Sequence, residues 1–243
     1  MKIDARGVDF KELNERVRGA VAKGANALTL SGVNGQRYIG CGVKGSAKIL
    51  VEGVPGNDLA AFMDGPTITV KGNGQDAIGN TMNSGKVVIH GSAGDVLGYA
   101  MRGGEIYVKG DVGYRVGIHM KSYIDNIPVI VVGGTAGDFF GEYMAGGTMI
   151  LLGLERGEKP IVGEWVGTGM HGGTIYIRGS VEDYQLGKEV KVFPVDKKEM
   201  GKIMPYLKEF ARHFKTSLEE ILAEEFIKLE PYSKRPYGKV YSY

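Results

Sequence analysis

The chain has one cysteine, Cys41, in 243 residues. A lone thiol cannot close an internal disulfide, and by itself it cannot hold an iron–sulfur cluster or a structural zinc. Proline is scarce, at 8 residues, and no G-X-Y period accompanies the 40 glycines, so a collagen-like chain is excluded. No run approaches the ~18 apolar residues that a membrane-spanning helix requires. The opening MKIDARGVDFKELNERV is charged from its start and lacks the apolar centre of a signal peptide. Charge of one sign is also missing. Lys plus Arg number 30 against 28 Asp plus Glu, which gives no electrostatic case for nucleic acid or a membrane surface as partner. These features predict a cytoplasmic protein whose 43% hydrophobic content can fill a large core.

What the sequence has in excess is a repeat. A short strand-like segment ends in glycine again and again: ALTLSG, AKILVEG, TITVKG, VVIHG, EIYVKG, VIVVG, MILLG and TIYIRG. The closing residues are Gly32, Gly53, Gly72, Gly91, Gly110, Gly133, Gly153 and Gly179. An aliphatic residue stands two and four positions before each of them, and the residue just before is generally polar, the period of a strand with one buried face. Val132 and Leu152 break the alternation, so those rungs are expected to be covered outside as well. A second column is marked by Met63, Met82, Met101, Met120, Met144 and Met170, each with Leu59, Ile78, Leu97, Val116, Phe140 or Val166 four residues earlier. Regular spacing of this kind reads as gap-filling core rather than a soft-metal site.

Rungs of about 19 to 26 residues are too short for strand–helix–strand units, which need about 30. A rung alone buries too little to offset its ordering entropy. Stacked rungs share hydrogen bonds and a continuous core. The predicted fold is therefore all-β: a single-stranded, right-handed parallel β-helix over 27–190. An N-terminal cap segment fills 1–26, and a helical C-terminal extension with a docking tail fills 191–243. In the cap, Asp9 is expected to N-cap a helix with Glu12 completing a capping box, Phe10, Leu13, Val17 and Val21 forming its apolar stripe, and Gly24 ending it. Met200, Ile203, Leu207, Phe210 and Phe214 predict a second helix that Pro205 should kink or split, and Ser217 with Glu220 starts a third, SLEEILAEEF.

Little chemistry is tied together by spacing. GTGMHG at 167–172 matches G-x-G-x-x-G, but a strand follows it where the dinucleotide fingerprint needs a helix. Asp76, Asp95 and Asp138 recur once per rung. They are either a cation or acid/base site, as in β-helix enzymes acting on polysaccharide, or Asx turns accepting local backbone N–H groups; the turns are preferred. Arg115, His119 and Lys121, where a rung lengthens, form a candidate interface, and His90 and His171 are read as surface positions. The tail PYSKRPYGKVYSY carries four tyrosines, three basic residues and no acid. Tyr232, Arg235 and Tyr237 in it are candidate docking residues, on the chain's own column or on a partner. No catalytic, cofactor or metal residue is assigned.

The segments NGQRYIGCG, EGVPGNDLAAFMDG, GNGQDAIGNTMNSG, GDVLGYAMRGG, GYRVGIHMKSY and GDFFGEYMAGG, with the tail KLEPYSKRPYGKVYS, resemble the GXGXG domain of the glutamate synthase large subunit in its standalone form. The resemblance implies a β-helix without catalytic residues, one subunit of a split enzyme that makes two glutamates from glutamine, 2-oxoglutarate and a reductant. Its partners would be an amidotransferase subunit that releases ammonia and a synthase subunit carrying FMN and an iron–sulfur cluster. A homo-oligomer is also compatible. The GXGXG rungs are similar as well to the C subunit of formylmethanofuran dehydrogenase, an alternative that the C-terminal helices and tail disfavour.

Overall fold

The computed structural model describes residues 1–232. Nine strands stack in parallel, each one coil beyond the last: β1 (Lys2–Asp4), β2 (Ala27–Asn34), β3 (Lys48–Val54), β4 (Asp64–Val70), β5 (Ser84–Ile89), β6 (Glu105–Val108), β7 (Val129–Val132), β8 (Ala145–Leu151) and β9 (Gly172–Arg178). The molecule is a parallel β-solenoid. Its register aligns Ile49, Ile68, Val87, Ile106, Ile130, Met149 and Ile175 in one inward column, and Val51, Val70, Ile89, Val108, Val132, Leu151 and Ile177 in the next. Every one of these side chains is 0–1% exposed. The six methionines of the second column and the aliphatics four residues before them are equally buried and line the same interior.

One rung is shifted against the reading of its sequence. Val132 pairs with Val108 and faces inward, while Val129 and Val131 face out. The glycine that closes this rung is Gly134: its N–H bonds to the Gly110 carbonyl at 3.0 Å, and the Gly153 N–H bonds to the Gly134 carbonyl at 3.0 Å. Gly133 does something else. A Cβ there would sit 2.6 Å from Phe210 Cζ, so its bareness makes room for an aromatic ring that covers the rung from outside.

That cover is α2 (Lys197–Phe214). Ile203, Leu207, Phe210 and Phe214 pack on the outward residues Val88, Tyr107, Val129, Val131, Ile150, Leu152 and Tyr176. Those strands are therefore apolar on both faces. His90, expected at the surface, is half-buried under the same helix, edge-on to Phe214 at 5.4 Å. Pro205 does not split the helix into two. The residue four before it is Gly201, and both are exposed, so the carbonyl that loses its N–H partner faces water.

The C-terminal extension is not helical throughout. It holds β10 (Val190–Pro194), α2, the four-residue α3 (Leu218–Ile221) and β11 (Phe226–Pro231). β11 adds antiparallel to β9, and β10 antiparallel to β11. Helical spacing does not survive past Ile221 because Phe226 and Leu229 are drawn into the two cores of the sheet. At the other end α1 (Phe10–Ala22) is capped by Asp9, whose carboxylate accepts the Lys11 N–H at 2.8 Å. Glu12 does not complete a capping box. It pairs instead with Arg16 one turn on, at 2.5 Å.

Carboxylates on α2 pin it to the solenoid. Glu209 meets Lys86 at 2.5 Å and Glu199 accepts from the Tyr176 hydroxyl at 2.9 Å. Burial alone would raise the Glu209 carboxyl, but Arg212 and Lys86 bring it down to about 2. The Lys202 ammonium, helped by Tyr176 and Lys228, holds Glu199 at about 2 as well. His213, with Nε2 3.0 Å from Glu209 but without the alignment of a hydrogen bond, is lowered by burial. All three groups are depressed, so their stabilisation is complete at neutral pH and is lost on acidification. We expect helix docking to weaken slightly below the ordinary His range and steeply as pH falls from about 4.5 toward 2. Glu209→Gln should cost about 2 kcal/mol at pH 7 and flatten the acid limb, read from urea midpoints across pH; an unchanged acid limb would contradict the assignment.

Candidate functional site

Each coil turns through a segment in which residues alternate between ordinary and left-handed backbone. In one coil Val96, Gly98 and Ala100 have φ of 51°, 71° and 49°. The alternation sends successive amides opposite ways along the rod. Val96 N–H reaches the Tyr114 carbonyl of the next coil at 2.8 Å, Gly98 N–H the Ile78 carbonyl of the previous one at 2.7 Å, and Ala100 N–H the Ile118 carbonyl of the next at 2.9 Å. Leu97 and Met101 are left pointing inward, both 0% exposed. The middle left-handed position is directed into the core, where Ala60 is buried and a Cβ on Gly98 would meet Ile130 Cδ1 at 2.4 Å, whereas the first and third, among them Arg115, His119, Phe62 and Trp165, carry the side chains that reach the surface.

The recurring aspartates lie just before these turns. Asp76 Oδ1 accepts the Asp95 N–H at 2.9 Å, Asp95 Oδ1 the Tyr114 N–H at 2.9 Å, and Asp138 Oδ1 the Glu164 N–H at 2.9 Å. A parallel ladder runs through Asn73, Ser92 and Asp111 to the amides of Ser92, Asp111 and Thr135. These are not Asx turns. The amide that each side chain caps belongs to the next coil, 19 to 26 residues away. The glycine ahead of each capped amide leaves space for the oxygen: a Cβ on Gly94 would lie 2.0 Å from Asp76 Oδ1, and one on Gly113 2.0 Å from Asp95 Oδ1. Among the described residues no group of three or more His, Cys, Asp or Glu is placed to hold a metal ion.

Bulky side chains gather on the left-handed turns. Arg115, Phe139 and Trp165 (φ 56°, 62° and 58°) stack one above another, with the Arg115 guanidinium 4.3 Å over the Phe139 ring and the Phe139 and Trp165 rings 4.9 Å apart. Arg115 also pairs with Glu142, which is itself buried. Beside them His119 lies flat on Tyr143 at 5.3 Å with 9° between the planes, and edge-on to Tyr99 at 6.0 Å. Phe62 continues the column and is 52% exposed. The lengthened rung after His119 forms a protruding loop, Lys121 to Ile127, whose Ile124 is 80% exposed. Left-handed backbone disfavours large residues by roughly 1–2 kcal/mol each, so a face built from Arg, Phe, Tyr and Trp in that conformation is held against a local cost.

Of the residues singled out in the sequence, Arg115, His119 and Lys121 lie on this ribbon. Tyr232 is at its C-terminal end, its N–H on the Glu189 carbonyl at 2.5 Å. Arg235 and Tyr237 lie outside the described residues. Sequence reasoning missed Phe62, Phe139, Tyr143 and Trp165, although a signal was present: they fall one or five residues before the buried methionines, as His119 and Arg115 do. His171 is half-buried, with Nδ1 3.1 Å from the Gly169 carbonyl. The Cys41 thiol is half-buried and burial pushes it up, which suits small filler rather than a nucleophile.

The GXGXG motif family matches residues 18–234. This chain belongs to that family. It is 45% identical to the uncharacterized protein MJ1350 of Methanocaldococcus jannaschii, over 99% of this chain and 95% of the relative. Its fold is similar to a chain of the formyltransferase/hydrolase complex of Methylorubrum extorquens, solved with methylofuran, at a TM-score of 0.63. That match is 21% identical and covers 91% of this chain and 87% of that one. The GXGXG chain described here thus shares its solenoid with a component of a multi-subunit assembly. No helix among the described residues is long and apolar enough to cross a membrane.

Proposed function

We propose that this chain is the non-catalytic scaffold subunit of a split glutamate synthase. It would hold an amidotransferase subunit, which frees ammonia from glutamine, against a synthase subunit whose FMN and iron–sulfur cluster reduce the product formed with 2-oxoglutarate. The observation that carries the reading is the use of the recurrent carboxylates. They cap backbone amides of neighbouring coils, and the exposed surface that remains is aromatic and arginine-bearing, the composition of protein interfaces. The GXGXG membership over 18–234 supports it. The test is co-expression with amidotransferase and flavin-synthase chains. The expected result is one complex on size exclusion; a chain that elutes alone beside them would overturn the proposal.

A second reading has comparable support from the fold. The Methylorubrum neighbour belongs to a formyltransferase/hydrolase complex, so this chain would be the C-subunit-like part of a formylmethanofuran dehydrogenase. Co-purification with those partners in place of the glutamate synthase chains decides for it. A polysaccharide-cleaving β-helix enzyme has weaker support, because Asp76, Asp95 and Asp138 are each engaged by a backbone amide.

A further inference from the structure

The loop after His119 has no role in the rod itself. The coil from Met120 to Met144 takes 24 residues where the one before it, from Met101 to Met120, takes 19. The surplus is a hairpin. The Tyr123 N–H bonds to the Asn126 carbonyl and the Asn126 N–H to the Tyr123 carbonyl, both at 3.0 Å, so Ile124 and Asp125 form a two-residue turn. Ile124 has a φ of 53°. Glycine, asparagine or aspartate is the ordinary choice at such a position, and a β-branched residue is disfavoured there. In the coil turns a left-handed residue such as Val96 gains a hydrogen bond to the neighbouring coil from its conformation. The Ile124 N–H makes none among the described residues. The side chain is 80% exposed, with Tyr123 and Ile127 exposed beside it. Neither folding nor solubility therefore selects isoleucine at this tip.

We propose that this hairpin anchors a partner subunit: Ile124 enters an apolar pocket of that subunit, and carboxylates at the pocket's rim meet Arg102 and Lys121. The proposal rests on the scaffold reading and names its contact. The tip is presented rigidly. A Cβ on Gly103, in the preceding coil, would lie 3.3 Å from Asn126 Cβ, and one on Gly146, in the following coil, would lie 2.5 Å from the Ser122 backbone nitrogen. The base of the loop is thus wedged between two coils, and little ordering is left for binding to impose. The flanks are basic. Arg102, next to Gly103, and Lys121, at the start of the loop, are exposed and form no ion pair among the described residues. Asp125 is the only acid from 121 to 127. Such flanks favour a partner surface of opposite charge. The hairpin also adjoins the aromatic ribbon, since Gly103 and Gly146 follow Tyr99 and Tyr143 by four and three residues. A subunit seated on those rings reaches the tip.

The variant Ile124→Gly separates anchoring from folding, because the two effects have opposite signs. Glycine adopts the left-handed turn freely, so the isolated full-length variant should keep or raise its urea midpoint. Its affinity for whichever of the amidotransferase and flavin-synthase chains it binds should fall at least tenfold. Replacing Arg102 and Lys121 together by glutamine should lower the affinity at low salt and flatten its decline as salt is raised. A lowered urea midpoint for Ile124→Gly would show that the residue serves the fold, and would overturn the proposal. Undiminished affinity of that variant beside an intact wild-type complex would overturn the anchor and leave the scaffold reading standing. A wild-type chain that binds neither these subunits nor those of formylmethanofuran dehydrogenase would overturn both. Binding to the latter alone, with the same tenfold loss, would keep the anchor and overturn the glutamate synthase reading. Self-association of the isolated wild type that Ile124→Gly abolishes would overturn the proposed occupant and assign the tip to a second copy.

Discussion

Replacing Gly94 with alanine is expected to cost about 3 kcal/mol, and most of that cost should vanish when Asp76 is replaced as well. The new methyl would stand 2.0 Å from Asp76 Oδ1 and 3.1 Å from its Cγ, with the backbone of the previous coil at 3.2 Å. The carboxylate must therefore leave the amide of Asp95, or the two coils must part. Asp76→Ala alone should cost about 1–2 kcal/mol, the consequence of an amide left without its acceptor. In the double variant the obstruction is gone and only the lost hydrogen bond remains. The cycle should accordingly show a coupling of about 3 kcal/mol, the whole cost of the single Gly94 substitution and far above what independent sites give. Strict additivity in urea unfolding would mean that the carboxylate does not occupy the space beside Gly94.

Truncating Phe210 to alanine should cost about 3–5 kcal/mol and should do so by loosening α2 from the rod. Phe210 is 1% exposed, packs edge-on to Phe214 at 4.7 Å and fills the space that Gly133 leaves bare. The inward columns touch none of these atoms, so the coils should persist when the helix is released. Hydrogen exchange should show α2 losing protection while amides of β3 and β4, which lie outside the helix's contact set, keep theirs. Uniform loss across all coils would show that α2 and the solenoid fold as one unit.

The coils were legible in the sequence because their burial is periodic in a way that only stacking explains. Ile68, Val87 and Ile106 fall four residues before a glycine, and they meet in register. The slip at Gly133 shows the limit of such a reading. Two glycines stand together at 133 and 134, and the alternation is hidden because α2 makes the outer face apolar too. The aspartates were placed correctly by position but not by partner. A carboxylate that serves a local amide and one that serves the next coil leave the same mark in a sequence, and the glycine ahead of the capped amide is what separates them. The ribbon was only half legible. Arg115 and His119 stood out as polar insertions, whereas Phe139, Tyr143 and Trp165 looked like further core beside the methionines. Glycine marks only the middle left-handed position of these turns, as at Gly98, Gly117 and Gly141; the flanking left-handed positions, which carry Arg115, Phe139 and Trp165, have no such residue type. The strands after Ile221 were hidden for the opposite reason, because Glu- and Leu-rich sequence favours helix until the open edge of β9 captures it.

The central claim is that the chain contributes architecture, while the chemistry belongs to its partners. Its most direct test is glutamine-dependent glutamate formation by the amidotransferase and flavin-synthase chains, measured with and without this protein. The account predicts that the synthase chain uses free ammonia on its own, and that coupling to glutamine appears only when the solenoid is added. The Asp76→Ala solenoid, once folded, should restore the same coupling. Equal glutamine-dependent rates in the absence of the solenoid would contradict the account, as would a coupling abolished by that substitution in a folded chain.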